Sequence, residues 1–241
     1  MKPYLSVVIP AYNEAKRLPL TLIDIDRHLS KAEFSYEIIV FDNNSTDATR
    51  EVVQRFSHLI KNLRLVECKV PGKGATVKKG MLEAKGSIKL FMDADNSTSI
   101  DQFQNMKPYF DGGYDVVIGS RDIEGAKMEP PQPWYKRLAG NIGNLFIQAL
   151  LLPGIWDTQC GFKAFTEEAA LKIFPLVKIT RWGFDVEILS LAKKMGYKIK
   201  EIPVIWVNDP FSRVKLTSYI QVLCEVVKIR YWLTTNKYNL K

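Results

Sequence analysis

Ile88-Lys89-Leu90-Phe91-Met92-Asp93-Ala94-Asp95 reads as an apolar strand that runs into two carboxylates spaced i, i+2, which aims both at one place. Carboxylate oxygens at such a point suit a hard divalent cation, Mg²⁺ or Mn²⁺. Such a cation takes one or two protein carboxylates and fills its other positions with water and substrate phosphates. That combination points to a diphosphate-bearing substrate. An acidic turn closing a core strand has the same spelling, so the surrounding chain must decide.

Working outward, further strand-like runs cover Leu5 to Ile9, Glu37 to Phe41, Leu63 to Val66 and Asp115 to Ile118, with helical segments between them. Strands alternating with helices imply βαβ units and a mostly parallel, Rossmann-like sheet whose ligands lie at the carboxyl ends of its strands. Polar clusters stand where that rule places them. Pro10-Ala11-Tyr12-Asn13-Glu14 follows the first strand, Asp42-Asn43-Asn44-Ser45-Thr46-Asp47 the second, and Asp93 and Asp95 the fourth. Asp42 has a second use, as a cap for a helix beginning near Thr46.

The chain has 241 residues, 46% hydrophobic and 25% charged, enough for one large core and a single domain. Its three cysteines, Cys68, Cys160 and Cys224, lack paired or metal-ligand spacing and point to a reducing, cytoplasmic setting. Met1 to Tyr4 leads directly into the first strand, so no signal peptide is expected. A net charge of +8 favours acidic partners. No zinc-finger spacing, arginine-glycine tract or aromatic-basic RNA signature accompanies that charge, so nucleic acid is not the expected partner.

No Gly-x-Gly-x-x-Gly follows the first strand, and Gly72-Lys73-Gly74-Ala75-Thr76 lacks Walker order, which sets aside dinucleotide and P-loop readings. Lys69, Lys73, Lys78 and Lys79, around two glycines and a helix start, bring positive charge and free N–H groups towards a diphosphate, or else form a solvated basic helix face.

In order along the chain, Val8-Ile9-Pro10-Ala11-Tyr12-Asn13-Glu14, Asp42 to Thr49, Gly72-Lys73-Gly74 with Gly80, and Asp93-Ala94-Asp95 resemble the inverting glycosyltransferases of family 2, of the glycosyltransferase-A (GT-A) fold. Gly119-Ser120-Arg121, Asp157-Thr158-Gln159-Cys160-Gly161-Phe162-Lys163 and Arg181-Trp182-Gly183-Phe184-Asp185 resemble its polyprenyl-phosphate branch, dolichyl-phosphate glucosyltransferases in particular. The resemblance implies transfer of a hexose, glucose favoured, from a nucleotide diphosphate sugar (UDP-glucose) to dolichyl or another polyprenyl phosphate. It assigns Pro10, Tyr12, Glu14, Asp42, Lys73 and Asp93-Ala94-Asp95 to the nucleotide sugar, and Asp93 and Asp95 to the metal. Residues 1–120 would form the nucleotide-sugar and metal-binding half, and 121–241 the acceptor half. Two departures stand out. Asn43 replaces a frequent second Asp, and Ser97 stands where related mannosyltransferases carry a Gln, which weakens the case for a mannosyl donor.

The acceptor dictates the rest of the chemistry. A hydroxyl nucleophile needs a general base, whereas a phosphate monoester with a second pKa near about 6 is already largely anionic at neutral pH and needs cations to hold it. Arg121, Arg137, Lys163, Arg213 and Lys215 are the candidate phosphate clamps. If Lys215 is the family's C-terminal Lys, Asp209 occupies the usual Arg position and Arg213 is the available substitute. Asp95 and Asp157 are the expected catalytic carboxylates. In hydroxyl-acceptor relatives an acid near Asp157 is the base, while beside a phosphate acceptor it would orient Lys163 or another acceptor-side group.

Leu138 to Trp156 is uncharged for nineteen residues, but Gly140, Asn141, Gly143, Asn144, Gln148, Pro153 and Gly154 argue against a transmembrane helix. A core or interfacial helix fits better. Tyr219 to Leu233 is amphipathic with Lys228 and Arg230 beside aromatics, so peripheral association with the cytosolic face of a membrane is expected. Asp122 to Trp134, rich in proline and polar residues, reads as an irregular mobile loop and a lid. Two alternatives remain open: a soluble family 2 enzyme extending a glycan at a hydroxyl, and a non-catalytic nucleotide-sugar or nucleic-acid binding module.

Overall fold

The computed structural model describes residues 2–131, 134–208 and 216–240, with the side chains of 134–139 and 216–217 excepted. Its centre is a mixed seven-stranded sheet. Strands β1 (Leu5–Ala11), β2 (Tyr36–Asp42), β3 (Leu63–Glu67), β4 (Ile88–Met92), β5 (Val116–Ser120), β7 (Phe162–Thr166) and β8 (Ile199–Pro203) lie in the order β3-β2-β1-β4-β7-β5-β8. The first four run parallel, β7 is antiparallel to both β4 and β5, and β8 returns parallel to β5. The expected mostly parallel sheet with flanking helices is therefore observed.

All five residues of β4 are buried, which is why its sequence is a nearly continuous apolar run rather than an alternation. Lys89 is accommodated because its ammonium donates to the Met81 carbonyl at 2.9 Å. Successive side chains point to opposite faces, and each face has its own core. Val7, Ile9, Ile38, Val40, Leu90 and Met92 pack with α1 (Leu18–Leu29), α2 (Thr49–Ser57) and α4 (Phe103–Asp111). Val8, Ile39, Phe41, Phe91 and Phe165 pack with α3 (Lys73–Glu83), α6 (Glu167–Ile173), α7 (Phe184–Lys194) and α8 (Leu216–Thr234). Along α1, Leu18, Thr21, Leu22, Ile25 and Leu29 are buried, the three- and four-residue stripe of a helix lying on a core. Each large apolar side chain buried in these layers contributes on the order of 1.5–3 kcal/mol.

The antiparallel insertion of β7 matters most for function. Met92 pairs with Phe162 and Ile118 with Lys163, so the chain just before β7 lies beside the carboxyl ends of both β4 and β5. Residues 157–161 are thereby delivered to the edge where the parallel strands end.

The stretch from Asp122 to Trp134 departs from the irregular loop expected of it. Lys127–Glu129 forms strand β6, which pairs in parallel with β9 (Ile205–Val207) as a separate two-stranded sheet. A three-residue strand sustained by a partner almost eighty positions away leaves no local pattern to read. Residues 132 and 133 lie outside the described residues. The uncharged stretch enters α5 (Trp134–Leu150), and no helix among the described residues is long and apolar enough to cross a membrane.

Candidate active site

A cavity of about 660 Å³ opens at the carboxyl ends of β1, β2 and β4. Pro10, Tyr12, Glu14, Lys73, Asp93, Ala94 and Asp95 all line it, so seven of the eight residues expected at a nucleotide sugar are brought together.

The loops forming this cavity are tied by side-chain hydrogen bonds to backbone. Asn13, in the left-handed region at φ 56°, accepts at Oδ1 from the Thr46 and Asp47 amides, at 2.8 and 3.3 Å. Its own amide donates to Ser45 Oγ at 2.9 Å. The first two loops thus form one unit. Asn43 donates to the Cys68 and Val70 carbonyls and accepts from the Gly72 amide at 2.8 Å, which joins the second loop to the third. An aspartate there could accept from Gly72 but could not donate to the two carbonyls, which is a physical reason for amide rather than acid at this position.

Asp42 is the exception among the expected donor residues. It is fully buried and does not line the cavity; Arg50 Nε donates to its Oδ2 at 2.6 Å and the Ser45 amide lies 3.3 Å away. Its carboxylate fastens the start of α2 to the sheet, directly before the cavity-lining Asn43 and Asn44.

Asp93 is set by β7. Its amide donates to the Gly161 carbonyl at 3.1 Å, and a β-carbon on Gly161 would stand 2.0 Å from Asp93 Oδ2, so only glycine leaves room for the carboxylate. Lys73 Nζ lies 2.5 Å from Asp93 Oδ1. Burial would lower the Lys73 pKa, but Asp93, Asp185 and Asp95 outweigh it and the ammonium is held above its usual range. Asp95 accepts from the Ser97 amide at 3.0 Å and has Arg17 Nη1 at 3.7 Å. Burial, and then the neighbouring Asp93 charge, raise the Asp95 pKa above the ordinary carboxylate range.

These features pass a test for a hard cation. Two partly exposed carboxylates lie close enough for the Asp93 charge to raise the Asp95 pKa, while no group of three or more His, Cys, Asp or Glu among the described residues could hold a metal ion by itself, so substrate oxygens would have to complete the set. A two-carboxylate donor set suits Mg²⁺ or Mn²⁺ that also takes oxygens from a bound diphosphate.

Residues outside the expected set complete the walls. Arg17, Asn44, Thr76, Arg181 and Trp182 line the cavity. Arg17 also pairs with Glu14 through Nε and Nη2, at 2.6 and 2.5 Å. Its place three residues after Glu14, one turn along, was the available signal. Trp182 stands beside Lys73, whose ammonium lies 5.8 Å from the ring centroid.

Across the β4 and β5 edge, Arg121 and Asp157 form a fork. Arg121 Nε and Nη2 donate to the two carboxylate oxygens at 2.7 and 3.0 Å, and the Arg121 amide adds a third bond at 3.0 Å. The Gln159 and Cys160 amides also donate to Asp157, each at 3.1 Å. Burial would raise the Asp157 pKa, but the Arg121 charge and its hydrogen bonds outweigh that and hold the carboxyl below its usual range. Asp157 is fully buried and surrounded by donors, so it orients Arg121 rather than Lys163, and it lacks the access a general base needs. The neighbouring Cys160 thiol is pushed up to about 12, by burial first and Asp157 second, and is inert at neutral pH. Arg121 lies 5.4 Å from the Trp206 ring centroid and remains partly exposed, as an anion clamp requires.

Lys163 does not belong to that clamp. It is fully buried in β7, where its ammonium donates to Asp185 at 2.6 Å and to the Cys160 carbonyl. The expectation that it grips an acceptor phosphate is corrected: its charge is spent holding the 157–161 segment to α7. The side chain of Arg137, and Arg213 and Lys215 entirely, lie outside the described residues.

Comparison with known proteins places the chain in a family. The model of Glycosyl transferase family 2 matches residues 6–174. The chain is 38% identical to dolichyl-phosphate beta-glucosyltransferase of Dictyostelium discoideum, over 95% of this chain and 74% of that protein. Identity to the human protein of that name is 31%, over 98% and 78%. Among solved structures, glucosyl-3-phosphoglycerate synthase from Mycobacterium tuberculosis superposes with a TM-score of 0.69 at 19% identity, covering 95% of this chain and 80% of that one. A second structure of that synthase, in complex with Mn²⁺, UDP and glucosyl-3-phosphoglycerate, gives a TM-score of 0.65 at 18% identity, over 94% and 78%. At such identities the superpositions speak to the fold alone. The family match covers most of the chain and the curated similarity nearly all of it, so the chain belongs to glycosyl transferase family 2.

Proposed function

We propose that this glycosyltransferase moves glucose from UDP-glucose to dolichyl phosphate or another polyprenyl phosphate, with inversion at the anomeric carbon. The observation carrying the proposal is the placing of two charged sites along one sheet edge: the Asp93, Asp95 and Lys73 cavity at the end of β4, whose paired carboxylates suit a cation, and the Arg121–Asp157 fork at the end of β5, whose guanidinium suits an anion. The dolichyl-phosphate beta-glucosyltransferases to which the chain is similar support the choice of sugar and lipid.

The reaction forms a bond between an acceptor phosphate oxygen and the anomeric carbon while the bond to the nucleoside diphosphate breaks, its electron pair leaving on the diphosphate oxygen. Attack from the face opposite the leaving group inverts the centre. Asp93 and Asp95 would hold a Mg²⁺ or Mn²⁺, which when bound would supply charge neutralisation for the departing diphosphate. Lys73, Arg17 and Arg181 add fixed positive charge around the same cavity, which requires no proton donor. Pro10 and Tyr12 form the nucleoside side. Arg121, locked by Asp157, presents its outer guanidinium edge to the acceptor phosphate. That phosphate is already anionic, so a buried Asp157 with no access is compatible with turnover. The donor half, 1–120, is completed by Arg181, Trp182 and Gly161, so the two halves share the site rather than divide it.

A lipid acceptor calls for contact with a membrane surface. Ile142, Leu145 and Phe146 of α5 and Tyr219, Ile220, Leu223, Val227 and Tyr231 of α8 are exposed, on two helices that pack together. This apolar face, with Lys228 and Arg230 on α8, suits a peripheral position on the cytosolic side of an anionic membrane. The test is incubation with radiolabelled UDP- and GDP-sugars, Mg²⁺ or Mn²⁺ and a short polyprenyl phosphate, counting label extracted into organic solvent. Metal-dependent transfer from UDP-glucose is expected; donor hydrolysis without lipid label would move the assignment to a hydroxyl acceptor.

A further inference from the structure

One wall of the donor cavity is a stretch without regular structure, residues 177–183, which carries Arg181 and Trp182. Such a stretch keeps its shape only through bonds to its backbone. On the cavity side, the Thr180 carbonyl accepts from the Ala75 amide at 3.2 Å. Gly72, at φ +117°, approaches so closely that a β-carbon there would lie 2.1 Å from the same oxygen. From behind, two carboxylates grip the wall. Glu187 of α7 accepts from the Lys178 amide at 3.0 Å and the Ile179 amide at 2.8 Å, and is itself held by the Tyr238 hydroxyl at 2.6 Å. Glu225 of α8 accepts from the Gly183 amide at 2.7 Å, and Gln221 one turn earlier donates to its other oxygen at 2.9 Å.

Glu225 is the sole acidic residue in the α8 sequence. It points away from the helix's exposed apolar side chains towards the amide next to Trp182. Gly183 is fitted to it, since a β-carbon there would lie 2.5 Å from Glu225 Oε2 and 2.9 Å from Glu225 Cβ. We infer that Glu225 is a positioning residue for the donor site, through which α8, the helix proposed to meet the lipid surface, sets the Arg181–Trp182 wall of the nucleotide cavity. The inference rests on reading that cavity as the nucleotide-diphosphate site, and adds that its geometry depends on a helix outside it.

The test uses the full chain and measures UDP affinity in the presence of Mn²⁺ by calorimetry, with donor and acceptor KM beside it. Glu225→Ala is expected to weaken UDP binding five- to tenfold and to raise donor KM alike, leaving acceptor KM within twofold. Glu225→Gln keeps an oxygen for the Gly183 amide and is expected to stay within twofold of the parent. In a Trp182→Ala background, Glu225→Ala is expected to add less than twofold, because coupled residues are not additive; a general loss of stability would not vanish in that background. Should Glu225→Ala fail to fold, Gly183→Ala disrupts the same contact from the other partner and is expected to give the same donor defect. Normal UDP affinity in Glu225→Ala and Gly183→Ala, with weakened binding in Trp182→Ala, would overturn the inference while leaving the cavity reading intact. Normal affinity in Trp182→Ala as well would remove the cavity reading and the inference with it.

Discussion

Asp157 is a carboxylate whose hydrogen bonds are all spent on the protein's own donors. It accepts from two side-chain nitrogens and three amides, so removing it leaves the Arg121 charge with no partner and several donors without an acceptor. Asp157→Ala is therefore expected to cost about 3–5 kcal/mol in urea unfolding. The pH dependence has a definite sign. The folded carboxyl titrates below the unfolded value of about 3.9, so its stabilisation is complete above that value and is lost as pH falls through the folded pKa. The difference in melting temperature between the parent and Asp157→Asn should be constant from pH 7 to about 5 and shrink below 4; a difference that grew on acidification would contradict the ion pair. Asp95 behaves in the opposite way. Burial and Asp93 raise its pKa, so its charged form is a burden on the fold that function retains. Asp95→Asn is expected to lower turnover by about a hundredfold or more while melting no lower than the parent; a variant both active and unchanged in stability would count against a ligand role.

The strand ends explain why these residues meet. β4 brings Asp93 and Asp95 to the edge of the sheet, and β7, entering antiparallel, slides Gly161 beneath Asp93. Gly161→Ala is expected to displace the Asp93 carboxylate, weakening Mn²⁺-dependent UDP binding at least tenfold in a titration; unchanged binding would show that this close approach does not set the site. Much of this was legible in sequence, because the runs at Leu5, Glu37, Leu63, Ile88 and Asp115 are apolar enough to be strands whatever their neighbours. The loops after β1, β2 and β4 announced themselves through clustered Asn, Asp, Ser and Pro. What stayed hidden depends on long-range pairing. Nothing local reveals that β7 reverses direction between β4 and β5, that Lys127–Glu129 has a strand partner in Ile205–Val207, or that Lys163 faces inward onto Asp185. The Arg50 partner of Asp42 stayed hidden for a related reason: an acid ending a strand at the ligand edge looks the same in sequence whatever it meets.

At the scale of the whole molecule, the proposed function joins the cavity, the Arg121 fork and the exposed apolar side chains of α5 and α8 in one task at a lipid surface. Leu145 and Tyr231 are both more than half exposed, so Leu145→Glu with Tyr231→Glu should cost little in folding. That double variant is expected to lose flotation with anionic liposomes and most transfer to polyprenyl phosphate, at unchanged UDP affinity. Equal flotation by parent and variant would detach the face from the membrane. The claim that joins all these parts is that the acceptor is a phosphate already ionised, held by Arg121 and needing no protein base. The measurement that reaches it most directly is the initial rate of transfer from UDP-glucose to a short polyprenyl phosphate, and to the corresponding free alcohol, across pH 5 to 9. Transfer to the phosphate alone is expected, its acceptor kcat/KM rising through about pH 6 as the second phosphate proton leaves and then levelling, with the same profile shape in Asp157→Asn. Transfer to the alcohol, or an Asp157→Asn enzyme that binds both substrates yet turns over neither, would contradict it.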